Sequence, residues 1–194
     1  DEGDDLIDVQ LTLGNQDIFL GTRKGKSIRF KEDDVRDMGR TARGVRGIMM
    51  AADDRVVGME IPTPGNSILT VAEKGYGKST EIAEYRLQSR GGKGTINLKT
   101  SKVGDVSGIL QVTGNEDIVL ISGAGRIIRM RAEEVRVIHR STQGVRLIDP
   151  EENEKLVGVA RAEREEERDF TVVRIISSSK ATLTERKTYE QKED

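Results

Sequence analysis

Asp17-Ile18-Phe19-Leu20, then Lys24-Gly25-Lys26, then Ile28-Arg29-Phe30: two short apolar runs flank a glycine turn. The pattern returns as Asp117-Ile118-Val119-Leu120, with Gly125 in the turn, and a diverged copy, Ser67-Ile68-Leu69-Thr70 before Gly75, stands between. Three sets of glycines share one spacing of 50 residues: Gly25, Gly75 and Gly125; Gly44, Gly94 and Gly144; Gly58, Gly108 and Gly158. A fixed period of this length marks a chain assembled from repeated supersecondary units.

Within each unit the apolar period is two. Ile7, Val9, Leu11 and Leu13 alternate with polar residues, and a turn follows at Gly14-Asn15, echoed by Gly65-Asn66 and Gly114-Asn115. The two runs quoted above come next, then a longer connection over residues 31–43, then Gly44-Val45-Arg46-Gly47-Ile48-Met49. The alternation predicts four short strands per unit, the first three joined by tight turns. No helical stripe escapes interruption by glycine, and only a turn near Glu32 to Val35 reads as helical. Four strands per roughly 50 residues is the arithmetic of a propeller-like blade. The expected fold is therefore all-β, a partial set of three to four four-stranded blades stacked face to face. Val57, Leu110 and Val157 are the expected core positions between them. The expected blades are 6–55, 56–105 and 106–155, with a closing strand to 161. Residues 162–194 are either a charged linker and tail behind Glu165-Glu166-Glu167 or a diverged fourth unit. Asp169-Phe170-Thr171-Val172-Val173 and Ala181-Thr182-Leu183-Thr184 would form its first hairpin.

Composition removes several functions. Without cysteine there is no disulfide framework, thiolate zinc site or cysteine nucleophile, and the absence fits a reducing compartment. No run approaches the roughly 18 apolar residues of a membrane span, so no membrane partner is expected. His139, the single histidine, takes a position held by Gly39 and Ser89 in the other units and reads as a loop residue. Gly75-Tyr76-Gly77-Lys78-Ser79-Thr80 lacks the spacing of a phosphate loop and any helix to follow it. No catalytic residue, metal or cofactor is expected in this chain. The net charge is −2, but residues 1–5 carry four acids and no base, and residues 6–160 hold 24 bases against 21 acids. Affinity for a polyanion must then come from where the bases sit.

They sit on the long connection. Arg36, Arg86 and Arg136 share one repeat position and Arg40, Arg90 and Arg140 another, with Arg43, Lys93 and Gln143 just before the glycine at 44, 94 and 144. Arg46 and Arg146 lie two residues past it. Blades related by rotation would bring these loops to one rim as a curved track of cations. Such a track suits double-stranded DNA, which carries a phosphate charge per roughly 1.7 Å of axis. Bending 20–30 bp by 40–90° costs on the order of 1–6 kcal/mol, which several arginine–phosphate contacts offset. Gly91, Gly92 and Gly94 would let backbone N–H groups approach the phosphates. Without a recognition helix, binding would be sequence-tolerant. The opposing reading pairs these arginines with surface acids, but neighbours do not recur with them: Asp37 follows Arg36, Leu87 follows Arg86 and Val137 follows Arg136.

The second connection, Gln88-Ser89-Arg90-Gly91-Gly92-Lys93-Gly94, resembles the gyrase A box, Gln-Arg-Arg-Gly-Gly-Lys-Gly, the signature of the C-terminal domain of the DNA gyrase A subunit. Ile28-Arg29-Phe30-Lys31, Met38-Gly39, Gly44-Val45-Arg46-Gly47-Ile48, Gly75-Tyr76-Gly77-Lys78, Ala83-Glu84-Tyr85 and Thr142-Gln143-Gly144-Val145 resemble the same domain, over about Leu6 to Arg161. The resemblance implies a β-pinwheel, a propeller variant whose blades exchange strands. It also implies a DNA-wrapping role within a bacterial cytoplasmic, nucleoid-associated type II topoisomerase. That enzyme hydrolyses ATP with its gyrase B partner, and its catalytic tyrosine and ATP site lie in other parts of the holoenzyme. Two departures stand out. Ser89 replaces the first arginine of the box, and a complete unit precedes residues 88–94, which places the chain in the C-terminal blades of a six-bladed domain and leaves two readings of this stretch, the functional box or a secondary one. The acid-rich end resembles the family's acidic tail. Two other readings stay open: the C-terminal domain of the topoisomerase IV A subunit, and a propeller scaffold for protein interactions.

Overall fold

The computed structural model describes residues 5–39, 41–151 and 154–163. The candidate fourth unit and the charged tail lie outside them, as does Arg40. Eleven strands among the described residues fall into three antiparallel sheets. Each sheet is built on one of the hairpins recognised in the sequence: β1 (Asp17–Thr22) with β2 (Lys26–Lys31), β4 (Ser67–Ala72) with β5 (Tyr76–Glu81), and β8 (Asp117–Ser122) with β9 (Ile127–Arg131).

The remaining strands come from the following unit. In the first sheet β3 (Val56–Glu60) pairs with β1 on one side, and β6 (Thr95–Ile96) pairs with β2 on the other. In the second, β7 (Val106–Val112) pairs with β4 and β10 (Val145–Arg146) with β5. The third has β11 (Leu156–Ala162) beside β8 and no described strand beside β9. A sheet is thus a hairpin completed by two strands of its successor, the strand exchange of a pinwheel. Each hairpin leads into a one-turn 3₁₀ helix, Glu32–Asp34, Ile82–Glu84 or Ala132–Glu134, of which the sequence suggested only the first.

This exchange corrects two expectations. Residues 7–13 form no strand: Leu11 and Leu13 are over nine-tenths exposed. Their repeat counterparts β3, β7 and β11 pair with a hairpin one unit earlier, and no described hairpin stands at that place for residues 7–13. For the same reason Gly44–Met49 forms no strand, whereas β6 and β10 do. Val157 is likewise exposed, while Val57 and Leu110 pack on the core as expected.

The core lies between the sheets. Phe19 meets Ile68, Ile82, Tyr85, Leu98 and Ile109 between the first and second, with the Phe19 and Tyr85 rings edge to face at 4.8 Å. Leu69 and Val71, on the other face of β4, meet Ile118, Leu120, Val135 and Leu156 between the second and third. Alternating residues of one strand therefore serve both layers.

Turn glycines make the seams possible. Gly25 and Gly75 sit at φ 79° and 78°, and a Cβ there would lie 2.1 Å from Leu98 O and 2.3 Å from Ile148 O. Those carbonyls belong to the following unit, so glycine is required by contact as well as by conformation.

Candidate nucleic-acid interface

After each 3₁₀ turn an apolar residue, Val35, Tyr85 or Val135, turns inward, and Arg36, Arg86 or Arg136 follows, exposed. The second connection then runs along the outer edge of β2. Leu87 bridges Arg29 in parallel, Gln88 N–H donates to Arg29 O at 2.8 Å, and Thr95–Ile96 closes antiparallel on Lys26 and Ser27. The third does the same on β5: Ser79 N–H donates to Arg136 O, Ile138 N–H to Ser79 O, and Val145–Arg146 closes on Tyr76 and Gly77. Arg86 and Arg136 consequently occupy equivalent places on the outer edges of consecutive sheets.

The connections are also joined to each other. Gly91 N–H donates to Gly47 O at 2.7 Å and Met49 N–H to Gly92 O at 2.8 Å. Arg90 donates Nε to Asp34 O at 2.9 Å and Nη1 to Arg46 O at 2.7 Å. Between the second and third connections, Ser141 N–H donates to Asn97 O and Lys99 N–H to Thr142 O, both at 2.8 Å. Ser141, the counterpart of Gly91, keeps the same left-handed backbone at φ 62° against 77°. The three arginine-bearing connections form one hydrogen-bonded series across the molecule.

The candidate residues divide by what they touch. Arg36, Arg46, Arg86, Lys93 and Arg136 are exposed, with side chains in no ion pair or hydrogen bond to described residues. No described residue occupies their ammonium and guanidinium groups. Arg43 is exposed and has a partner. Arg140 is half-buried, close enough to Lys78 and Tyr85 to affect their ionisation. Arg146 stacks over Tyr76 at 4.8 Å, donates to its hydroxyl at 3.0 Å and pairs with Asp149. Arg90 is committed to backbone carbonyls and acts as a brace between loops. In the box-like stretch Gln88 is half-buried and Ser89 exposed. Two of its glycines are engaged within the fold: the Gly91 N–H is bonded to Gly47 O, and a Cβ on Gly94 would lie 2.4 Å from Ser27 O.

Two features escaped the sequence reading. Asp17 with Arg29, and Asp117 with Arg129, form the same cross-strand pair in two hairpins, and both ion pairs recur at a spacing of twelve. Burial raises the Asp17 carboxyl, but bonds from Lys31 and Arg29 outweigh it and hold the group below its usual range. The second is Lys78, fully buried, whose Nζ donates to His139 O at 2.8 Å. Burial lowers its pKa to about 8, with Arg140 acting in the same direction and Glu84 against it. The signal was available, since Lys78 stands where the other units have Ile28 and Ile128. Gly75-Tyr76-Gly77-Lys78, set aside as a phosphate loop, is a hairpin turn and strand. His139 lies in a loop, its Nδ1 2.7 Å from Glu84. Among the described residues no group of three or more acids and histidines converges as a metal site would, and no helix is long and apolar enough to cross a membrane.

Comparison with known proteins agrees with this geometry. The DNA gyrase A subunit of Klebsiella oxytoca is 47% identical over 161 residues, 82% of this chain and 18% of that protein. Its Escherichia coli K12 counterpart is 42% identical over 174 residues, 89% of this chain and 20% of that protein. The chain therefore spans about a fifth of the length of these relatives. Among solved structures, the C-terminal domain of DNA topoisomerase IV aligns with a TM-score of 0.76 at 26% identity, covering 80% of this chain and 49% of that one. The DNA gyrase A C-terminal domain aligns at 0.70 and 25% identity, covering 76% and 50%. Residues 16–63, 66–113 and 116–163 each match one family, beginning at the hairpins that found the three sheets, and the chain belongs to it: the DNA gyrase C-terminal domain, beta-propeller.

Proposed function

We propose that this chain is a DNA-binding and DNA-wrapping part of the DNA gyrase A subunit, without chemistry of its own, in a bacterial type II topoisomerase. The observation that carries this is the hydrogen-bonded series of connections, in which Arg86 and Arg136 repeat along a rim at the edges of consecutive sheets and Arg36, on the first connection, is exposed like them, all three side chains without a described partner. A duplex following that rim would meet a cation at each sheet, and the counterions released would offset the bending cost of roughly 1–6 kcal/mol. Connections without a recognition helix meet phosphates, so binding would be sequence-tolerant.

In the holoenzyme the wrapped segment would be presented for strand passage, biasing the enzyme toward negative supercoils. The gyrase B partner would hydrolyse ATP, and the remainder of gyrase A would cleave the DNA. The cytoplasm, at the nucleoid, is the setting this role requires. The topoisomerase IV likeness is close in fold, yet the identity of 41–48% lies with gyrase subunits, which supports the gyrase reading.

Two measurements test it. Fluorescence anisotropy with duplexes of unrelated sequence should give similar affinities. Nicked circles resealed in the presence of the chain should show a shifted linking number. Absent binding, or strong preference for one sequence, would overturn the DNA reading; binding without a linking shift would leave binding and remove wrapping.

A further inference from the structure

We infer that Lys78 is a positioning residue for this rim: from inside the second sheet it holds the third connection in place and thereby aims Arg136 and Arg140. The inference rests on the DNA-binding reading above. Lys78 has no exposed surface, so it touches no phosphate itself. An ammonium is costly to bury unless it is bonded, and the core does not need one, because Ile28 and Ile128 fill the same position in the other units.

What Lys78 supplies is a donor at the sheet edge. Its Nζ reaches His139 O at 2.8 Å, and Thr80 Oγ1, two residues on, reaches Ile138 O at 2.8 Å. Ser79 between them bonds through its backbone to Arg136 O and to the Ile138 N–H. The stretch from Arg136 to His139, which leads directly into Arg140, is thus gripped by three neighbouring residues of β5.

The first sheet reaches the same end with different residues. Arg29, braced by Asp17, donates Nη1 to Ile82 O at 3.1 Å and to Tyr85 O at 3.3 Å, at the root of the connection bearing Arg86 and Arg90. Its counterpart in the second sheet is Ser79, too short to reach past the edge, and Lys78 takes over from the adjacent position. A cation gripping the next unit's connection occurs in both sheets that have a described connection to grip, from non-equivalent positions.

The test is a double-mutant cycle on DNA affinity in the full chain, with Lys78→Ile, the residue of both sister units, and Arg136→Ala plus Arg140→Ala. Lys78→Ile should weaken binding about tenfold, within the coupling range of residues sharing one network, and should add nothing in the doubly substituted background. Thr80→Val should show a smaller loss of the same kind, and it tests the grip if Lys78→Ile does not fold. Amide exchange in the DNA-free chain should rise at residues 136–142 in Lys78→Ile while β8 and β9 stay protected. Full additivity, or unchanged affinity in a folded Lys78→Ile, would overturn the positioning role while leaving the rim intact. Unchanged affinity on losing Arg136 and Arg140 would overturn the role together with the rim reading.

Discussion

Arg29 and Arg129 occupy one repeat position and begin alike, with Nε 2.7 Å from Asp17 and 2.6 Å from Asp117. Beyond that the first and third sheets part. Arg29 continues to two carbonyls of the next unit, while Arg129 has none within reach among the described residues. Gly25 has Leu98 O where its Cβ would be, and around Gly125, at nearly the same φ, no described residue lies within 4 Å of that place. The two sheets show which features a hairpin makes locally and which arise only at a seam. The turn and the charge pair are local. The fourth strand, the close-packed glycine and the grip on the connection belong to the seam.

The glycines give the largest expected contrast. Gly125→Ala should cost only the left-handed backbone penalty, about 1–2 kcal/mol. Gly25→Ala should add overpacking against Leu98, for a total of about 2–5 kcal/mol. Urea denaturation of both variants measures the difference, and equal losses would mean that the first seam is looser than described.

The charge pairs come next. Arg29→Met strips a mostly buried Asp17 of one partner and leaves Tyr85 O without its described donor, while Ile82 O keeps the Tyr85 N–H, so a loss of about 2–3 kcal/mol is expected. Arg129→Met, in a more exposed pair, should lose no more than about 1 kcal/mol. The same denaturation curves decide it.

A smaller, pH-dependent effect separates the second sheet from both. Because burial lowers the folded-state pKa of Lys78 to about 8 from an ordinary 10.5, the unfolded chain binds more protons between those values. Stability should therefore rise as pH increases through that window, as the buried ammonium gives up its charge. Lys78→Ile should flatten this rise, and thermal melts at stepped pH would show it. The smallest effect is expected at the edge of β9, which no described strand covers, where Ile127→Thr should change stability by no more than about 0.5 kcal/mol.

Much of this was legible in the residues. The 50-residue period and the glycine turns located all three hairpins, since a turn at positive φ flanked by alternating apolar residues is a local signal. The pairing of strands across units was not legible from alternation. Leu11 and Leu13 read as strand residues, yet they stand exposed outside any strand, because alternation says nothing of which sheet receives a strand. The rim divided the same way. Arg86 and Arg136 were found by their spacing, but only geometry shows Arg90 bonded to Asp34 O and Arg46 O, since a guanidinium that holds a loop and one that awaits a phosphate look identical in sequence.

The central claim is that the open guanidinium groups, one per connection, meet DNA phosphates. Its most direct test is the salt dependence of DNA affinity for the chain and for Arg36→Ala, Arg86→Ala and Arg136→Ala combined. The slope of log affinity against log salt should become shallower by about 0.9 for every phosphate that the variant no longer neutralises. A triple variant that keeps the original slope would contradict the rim.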